Sequence, residues 1–260
     1  MKKTLISLAV AVSAIASGSA MAWQANGKGG DFEMGGALTP VDIQTPWEVK
    51  TGAAVSGLDA QIKKGQEDAV IPVNHSIPVL AIRTQTKEPF HGDADFAPQI
   101  DFHDALDIDN FFDTAVVPVV LDVKSPAGKR IGSMMFNMLA VGVSSYKTPD
   151  QGGANTVMIA PNAGDGFYGG LGKSLKGTDG LIPRIQNIFG SELAANYTDQ
   201  GTGSRAPARE TFNDKNATFS GYYGAGVEAG QSIKLSLDQK AADDEPIKWH
   251  ASLPVTVSYP

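Results

Sequence analysis

The chain has 260 residues, a formal net charge of −7 and no cysteine. A disulfide framework is thereby excluded, and an acidic balance without a basic cluster argues against nucleic acid and anionic membrane surfaces as partners. Abundant Gly (29) and Pro (15), set between short β-branched runs, point to a turn-rich all-β fold.

Lys2 and Lys3 precede an apolar run over residues 5–16 and then Ala20, Met21 and Ala22, a small-x-small cleavage site. That is the form of a secretory signal peptide. The run is shorter than the roughly 20 apolar residues a membrane-spanning helix needs. Residues 1–22 are therefore expected to be removed, leaving Trp23 first.

Residues 30–39 (GDFEMGGALT) place Phe32, Met34, Gly36 and Leu38 on one face of a strand, with polar or small residues on the other. Glycine before and within the stretch makes it a weak partner for its own chain. It reads either as a first strand of the domain or as an extension that leaves it. WEVKTG (47–52) reads as a strand ending in a turn, and residues 61–68 as a polar loop. Residues 69–83 hold two apolar runs split at Asn74, His75 and Ser76, a strand pair or one bent strand with His75 in the loop.

Residues 90–113 carry His91, Asp93, Asp95, Asp101, His103, Asp104, Asp107, Asp109 and Asp113. Alternate carboxylates with two histidines could ligate a hard cation. However, a calcium loop's glycine and terminal glutamate are missing, and Phe96, Ile100, Phe102, Leu106 and Ile108 alternate with the charges. A strand edge with a solvated outer face is the favoured reading, so no metal or cofactor is assigned. A hydrolase using this cluster stands as a distant third function class.

Two apolar strands, residues 114–123 and 131–143, flank a Pro/Gly turn and form a hairpin; Met134, Met135 and Met138 in its second arm read as core. Residues 146–180 are loop-like, and Ile182, Ile185, Ile188, Phe189 and Leu193 recur at helical spacing. An insert of loops and helix is a usual place for a binding surface. Its aromatics Phe167, Tyr168 and Tyr197 are candidates for stacking on a sugar, with ordinary packing the commoner role. Residues 218–227 and 231–237 lead to the last strand.

From 249 to 259 the odd positions are Trp249, Ala251, Leu253, Val255, Val257 and Tyr259, and the even ones His250, Ser252, Pro254, Thr256 and Ser258. This is a strand with one apolar face. Only Pro260 follows, so its second edge is expected to be covered by another chain. Pro254, which has no N–H, suits such an edge.

Trp23, GDFEMGGALT (30–39), WEVKTG (47–52), PQI (98–100), GKRIGS (128–133), FYGGL (167–171), GVEAGQ (226–231) and the closing strand with its penultimate tyrosine, taken in order, resemble the FaeG-like fimbrial subunits of chaperone–usher pili. The resemblance spans nearly the whole mature chain. It implies an incomplete immunoglobulin-like β-sandwich, complemented by a donated strand, with an inserted loop and helix region at about 144–212 in a domain of residues 40–260. It implies that residues 23–39 are the donor-strand extension, with Phe32, Met34, Gly36 and Leu38 as its inserted face. Leu253, Val255, Val257 and Tyr259 would border the groove that receives first a periplasmic chaperone strand and then a neighbouring subunit's extension, a case of β-augmentation. An outer-membrane usher and, for subunits that are also adhesins, a host glycan are the further implied partners, at a fimbria on the cell surface. The chain departs from the family where Lys28, two residues before Gly30, replaces an apolar residue. A non-enzymatic fimbrial subunit is the leading reading, and a secreted monomeric β-sandwich that binds carbohydrate is the alternative.

Overall fold

The computed structural model describes residues 25–26, 34–38, 44–112, 114–150, 152–242 and 245–260. The chain divides into two units, Met1–Ile43 and Gln44–Pro260. In the first, residues 34–38 carry no secondary structure, and Met34 and Leu38 are 86% and 100% exposed. The predicted leader, Lys28 and Phe32 lie outside the described residues.

The second unit is an all-β sandwich with one short helix. Its strands are β1 (Trp47–Thr51), β2 (Asp68–Pro72), β3 (Ile77–Thr84), β4 (Phe90–His91), β5 (Gln99–Asp101), β6 (Val116–Lys124), β7 (Arg130–Thr148), β8 (Gly152–Val157), β9 (Gly203–Ser204), β10 (Thr218–Val227), β11 (Ser232–Leu237) and β12 (Thr256–Ser258); the helix α1 is Leu181–Phe189. The main sheet runs β1-β3-β10-β7-β11-β2, with β6 and β8 also on β7, while β12 pairs with β5 in a second small sheet.

β7 is the spine. Its first half lies between β11 and β6, and its second half between β10 and β8. Alternation sends Met134, Phe136, Met138 and Ala140 into the main core. From Leu139 onward the opposite face is buried as well, because Leu139, Val141 and Val143 pack beneath α1. A strand covered on both faces reads as an unbroken apolar run, and residues 138–143 are MLAVGV.

The helix is amphipathic: Leu181, Ile185 and Ile188 are its buried residues, and it ends at Gly190, whose φ is 73° and whose N–H donates to the Gln186 C=O at 2.6 Å. It can lie close to the sheet because β10 offers glycine beneath it. A Cβ at Gly224 would stand 2.8 Å from Ile185 Cγ1 and 3.0 Å from Leu193 Cδ2.

Several expectations change. Residues 146–148 and 152–157 are not loop but the end of β7 and the strand β8. The chain does break around His75, which is exposed, yet β2 and β3 are not partners; β2 pairs with β11, and β3 with β1 and β10. Met135 is 42% exposed rather than core, since its side chain alternates outward between those of Met134 and Phe136.

Gly224→Val is expected to push α1 off β10. Overpacking of this kind costs about 1–3 kcal/mol, read as a lower thermal midpoint and faster amide exchange in the helix.

Candidate functional site

Residues 249–259 form the second layer over the core. The odd residues Trp249, Ala251, Leu253, Val255, Val257 and Tyr259 pack on the core cluster, yet every one stays half-buried, whereas each even residue is exposed. Core residues beneath them, such as Val117, Val119 and Val123, have no exposure at all. The apolar face of this strand is thus seated in the sandwich and covered from one side.

Its backbone is held at two places. His250 exchanges both hydrogen bonds with Lys124 of β6, each at 2.9 Å. Farther along, Thr256 stands opposite Asp101 and Ser258 opposite Gln99. Ile100, between them, donates its N–H to the Tyr168 C=O at 2.8 Å and so faces away from β12. The ladder bonds therefore fall to the even residues, on the same side as His250. By the same alternation, Ala251, Leu253, Val255, Val257 and Tyr259 aim their N–H and C=O at the other edge. Among the described residues no strand lies there.

Pairing is not continuous, contrary to the sequence reading of one long strand. Residues 102–105 wedge between β6 and the terminal segment: Val120 N–H donates to the Ala105 C=O at 2.9 Å instead of to the terminal strand. His103 and Asp104 take left-handed φ values of 50° and 65° to make this turn. The His103 N–H donates to Asp101 Oδ1 at 2.7 Å, and its ring nitrogen Nε2 meets Thr256 Oγ1 at 2.8 Å. The separation leaves a cleft of about 350 Å³ lined by His103, Asp122, Lys124, His250, Ser252 and Pro254 among others. Pro254, an even residue, turns its missing N–H toward this cleft and not toward the open edge.

Gly169 anchors the other side of β5. Its φ is 85°, and a Cβ there would fall 1.9 Å from the Ile100 C=O. Phe167 N–H donates to the Pro98 C=O at 2.6 Å. The stretches PQI and FYGGL, distant in sequence, thus lie against each other and fix the strand that β12 pairs with. Gln99, His103, Lys124 and Gly169 are holding residues whose role sequence reasoning missed; the two motif stretches point near Gln99 and Gly169, and His103 enters the sequence reading only as a candidate cation ligand.

Of the aromatic candidates for a sugar surface, Phe167 is a core residue and the two tyrosines are half-buried. Phe167 is fully buried and stacks on Tyr223 with ring centroids 5.4 Å apart. Tyr168 is half-buried against the core, and Tyr197 meets Tyr222 edge-on at 5.3 Å. Burial, with the Asp199 charge adding to it and a hydrogen bond to Ser145 opposing it, pushes the Tyr197 phenol up to about 12. Burial also pushes the Tyr259 phenol up, against a hydrogen bond with Thr45.

Acidic residues of 90–112 are engaged in small local contacts. A hydrogen bond from Lys215, 3.1 Å away, holds the Asp93 carboxyl below the usual carboxylate range, helped by the Ala94 N–H. Asp107 caps a short turn through the Asp109 N–H at 2.9 Å, and Asp109 pairs with Lys173. Among the described residues no group of three or more His, Asp or Glu gathers to hold a metal ion.

The family model described as fimbrial, major and minor subunit matches residues 1–260. K88 fimbrial protein AB of Escherichia coli is 28% identical over 292 residues, with all of both chains covered. K88 fimbrial protein AD of the same organism is 28% identical over 295 residues, and its F41 fimbrial protein 25% over 283, again with both chains fully covered.

Hydrogen exchange of the free chain tests the geometry of the edge. The amides of Ala251, Leu253 and Val255 are expected to exchange close to unprotected rates, and that of His250 more slowly. Protection at Leu253 and Val255 in the free chain would overturn the assignment of the open edge.

Proposed function

Because the chain belongs to the family of major and minor fimbrial subunits, we propose that it enters its fibre by strand donation at the open edge of residues 251–259. Proteins of this family are structural, not enzymatic, and are displayed at the cell surface as fimbriae. The observation that carries the proposal is the conjunction on one strand of an unpaired odd-numbered edge and a half-buried odd-numbered face, Leu253, Val255, Val257 and Tyr259. A soluble chain normally protects such an edge. One added strand would pair the backbone and cover the apolar face together.

In this reading residues 1–22 direct export, and a periplasmic chaperone lends the first strand. At the outer-membrane usher, residues 23–39 of the next subunit replace it. Phe32, Met34 and Leu38 alternate with small or charged residues, and Gly36 lets the donor backbone approach closely. Burial of those three side chains contributes about 1.5–3 kcal/mol each, about 5–9 kcal/mol together, before any backbone pairing. The full exposure of Leu38 and near-full exposure of Met34 leave the share of those two residues unused in the free chain.

Phe167 is buried and cannot stack on a host glycan, whereas Tyr168 and Tyr197 stay half-buried; strand donation is independent of an adhesin role. A monomeric carbohydrate-binding protein would leave the open edge without a use.

Phe32→Asp is expected to block subunit joining and to leave the chaperone complex intact; Val255→Asp, on the receiving strand, is expected to abolish both. Co-purification with the chaperone and electron microscopy of the fibres read the two steps. Fibres of normal length from Phe32→Asp would overturn the proposal.

A further inference from the structure

A second open edge lies at the far side of the main sheet. β1 ends the strand order and pairs with β3 alone. Gln85 donates its N–H to the Pro46 C=O, and Gly52 its N–H to the Val79 C=O, both at 2.9 Å. These bonds bracket the strand, so even residues spend their backbone groups on β3 and Trp47, Val49 and Thr51 aim theirs outward. The Trp47 C=O accepts from the Gln85 side chain at 2.9 Å. Among the described residues Val49 and Thr51 have no partner on that side, and the Val49 side chain is 44% exposed.

We propose that β1 pairs with β1 of a second copy of this chain, antiparallel, about a two-fold axis through Val49. In that register Val49 exchanges both backbone hydrogen bonds with its own copy. Glu48 then stands directly opposite Lys50 of the second copy, and Lys50 opposite its Glu48. Oppositely charged cross-strand pairs stabilise a sheet. Sliding the register so that Lys50 faces Lys50 sets like charges together, so the charge pattern selects the Val49-centred arrangement. Charge on an edge strand usually keeps copies apart. Here the two charges are of opposite sign and two residues apart, and a two-fold axis turns them into a complementary set.

Both charges remain available. Glu48 reaches Arg83 at 2.5 Å and Lys50 reaches Glu192 at 3.1 Å, yet their side chains are 45% and 68% exposed. A groove of about 610 Å³ lies over them, walled by Ile188, Phe189 and Glu192, and leaves room above the new strand pair. The contact is short and weak for one pair of copies, and repetition along an assembly multiplies it. It makes no use of the terminal strand and stands independently of strand donation.

The chain has no native cysteine, so Val49→Cys introduces a thiol that can pair only with its own copy. Opposed Cα atoms at a hydrogen-bonded antiparallel site lie about 5.5 Å apart, within disulfide range. Mild oxidation of the purified full chain is expected to give a reducible dimer on a denaturing gel, where any non-covalent strand joint has been removed. Val55→Cys, similarly exposed (47%) but outside β1, is expected to give little. Adding Glu48→Lys to Val49→Cys should cut the dimer about fivefold, and adding Lys50→Glu as well should restore it. The double swap leaves both intramolecular ion pairs reversed into like charges, so recovery reports the contact between copies. A Val49→Cys dimer yield no greater than that of Val55→Cys, or no recovery in the charge-swapped variant, would overturn the proposal.

Discussion

Successive residues of a strand point their backbone groups to opposite edges and their side chains to opposite faces. Over residues 249–259 this alternation puts two demands on the same odd residues. Their side chains seat the strand in the core, and their N–H and C=O groups face an edge with no partner among the described residues. The even residues carry the attachment to Lys124, Asp101 and Gln99. Attachment and availability are thus divided by parity, and a one-residue slip would exchange them.

The rest of the sandwich makes that division rigid. β7 carries the main core on one face and the α1 cluster on the other, so the sheet beneath the terminal strand is packed from both sides. β5 is clamped from behind by the turn at Gly169, where only a glycine clears the Ile100 C=O. The wedge of residues 102–105 holds the terminal segment away from β6 over its middle, so the strand is fixed near its ends.

Much of this was legible in the sequence. The period-two pattern of 249–259 gives the face that packs and the face that does not, and the hairpin of β6 and β7 follows from two apolar runs around a Pro/Gly turn. The helix is read from Ile185 and Ile188, though not the glycine seat at Gly224 that admits it. Other features depend on three-dimensional partners that no local pattern names. The wedge rests on left-handed φ values at His103 and Asp104, residue types that tolerate that conformation but adopt it in only a small minority of cases. β2 and β3 look like a hairpin because they are adjacent, and only sheet order separates them. Phe167 sits in a Gly-rich loop with no periodicity to show which way it points, and its backbone bond to Pro98 accompanies its full burial. Apolar residues in irregular segments lack the periodicity from which burial can be inferred.

The position of Pro254 carries a consequence for any strand that docks beside it. Its missing donor falls on the side of the cleft, so the docking edge keeps an N–H at every odd residue from Ala251 to Tyr259. These donors recur about every 6.8 Å, twice the rise per residue, with no gap to fix a stopping point. Evenly spaced main-chain groups do not by themselves select an occupant, so under strand donation a docked strand would be replaced couple by couple. An exchange conducted in that way never exposes the whole edge to water, and its barrier is set by the few bonds broken at a time.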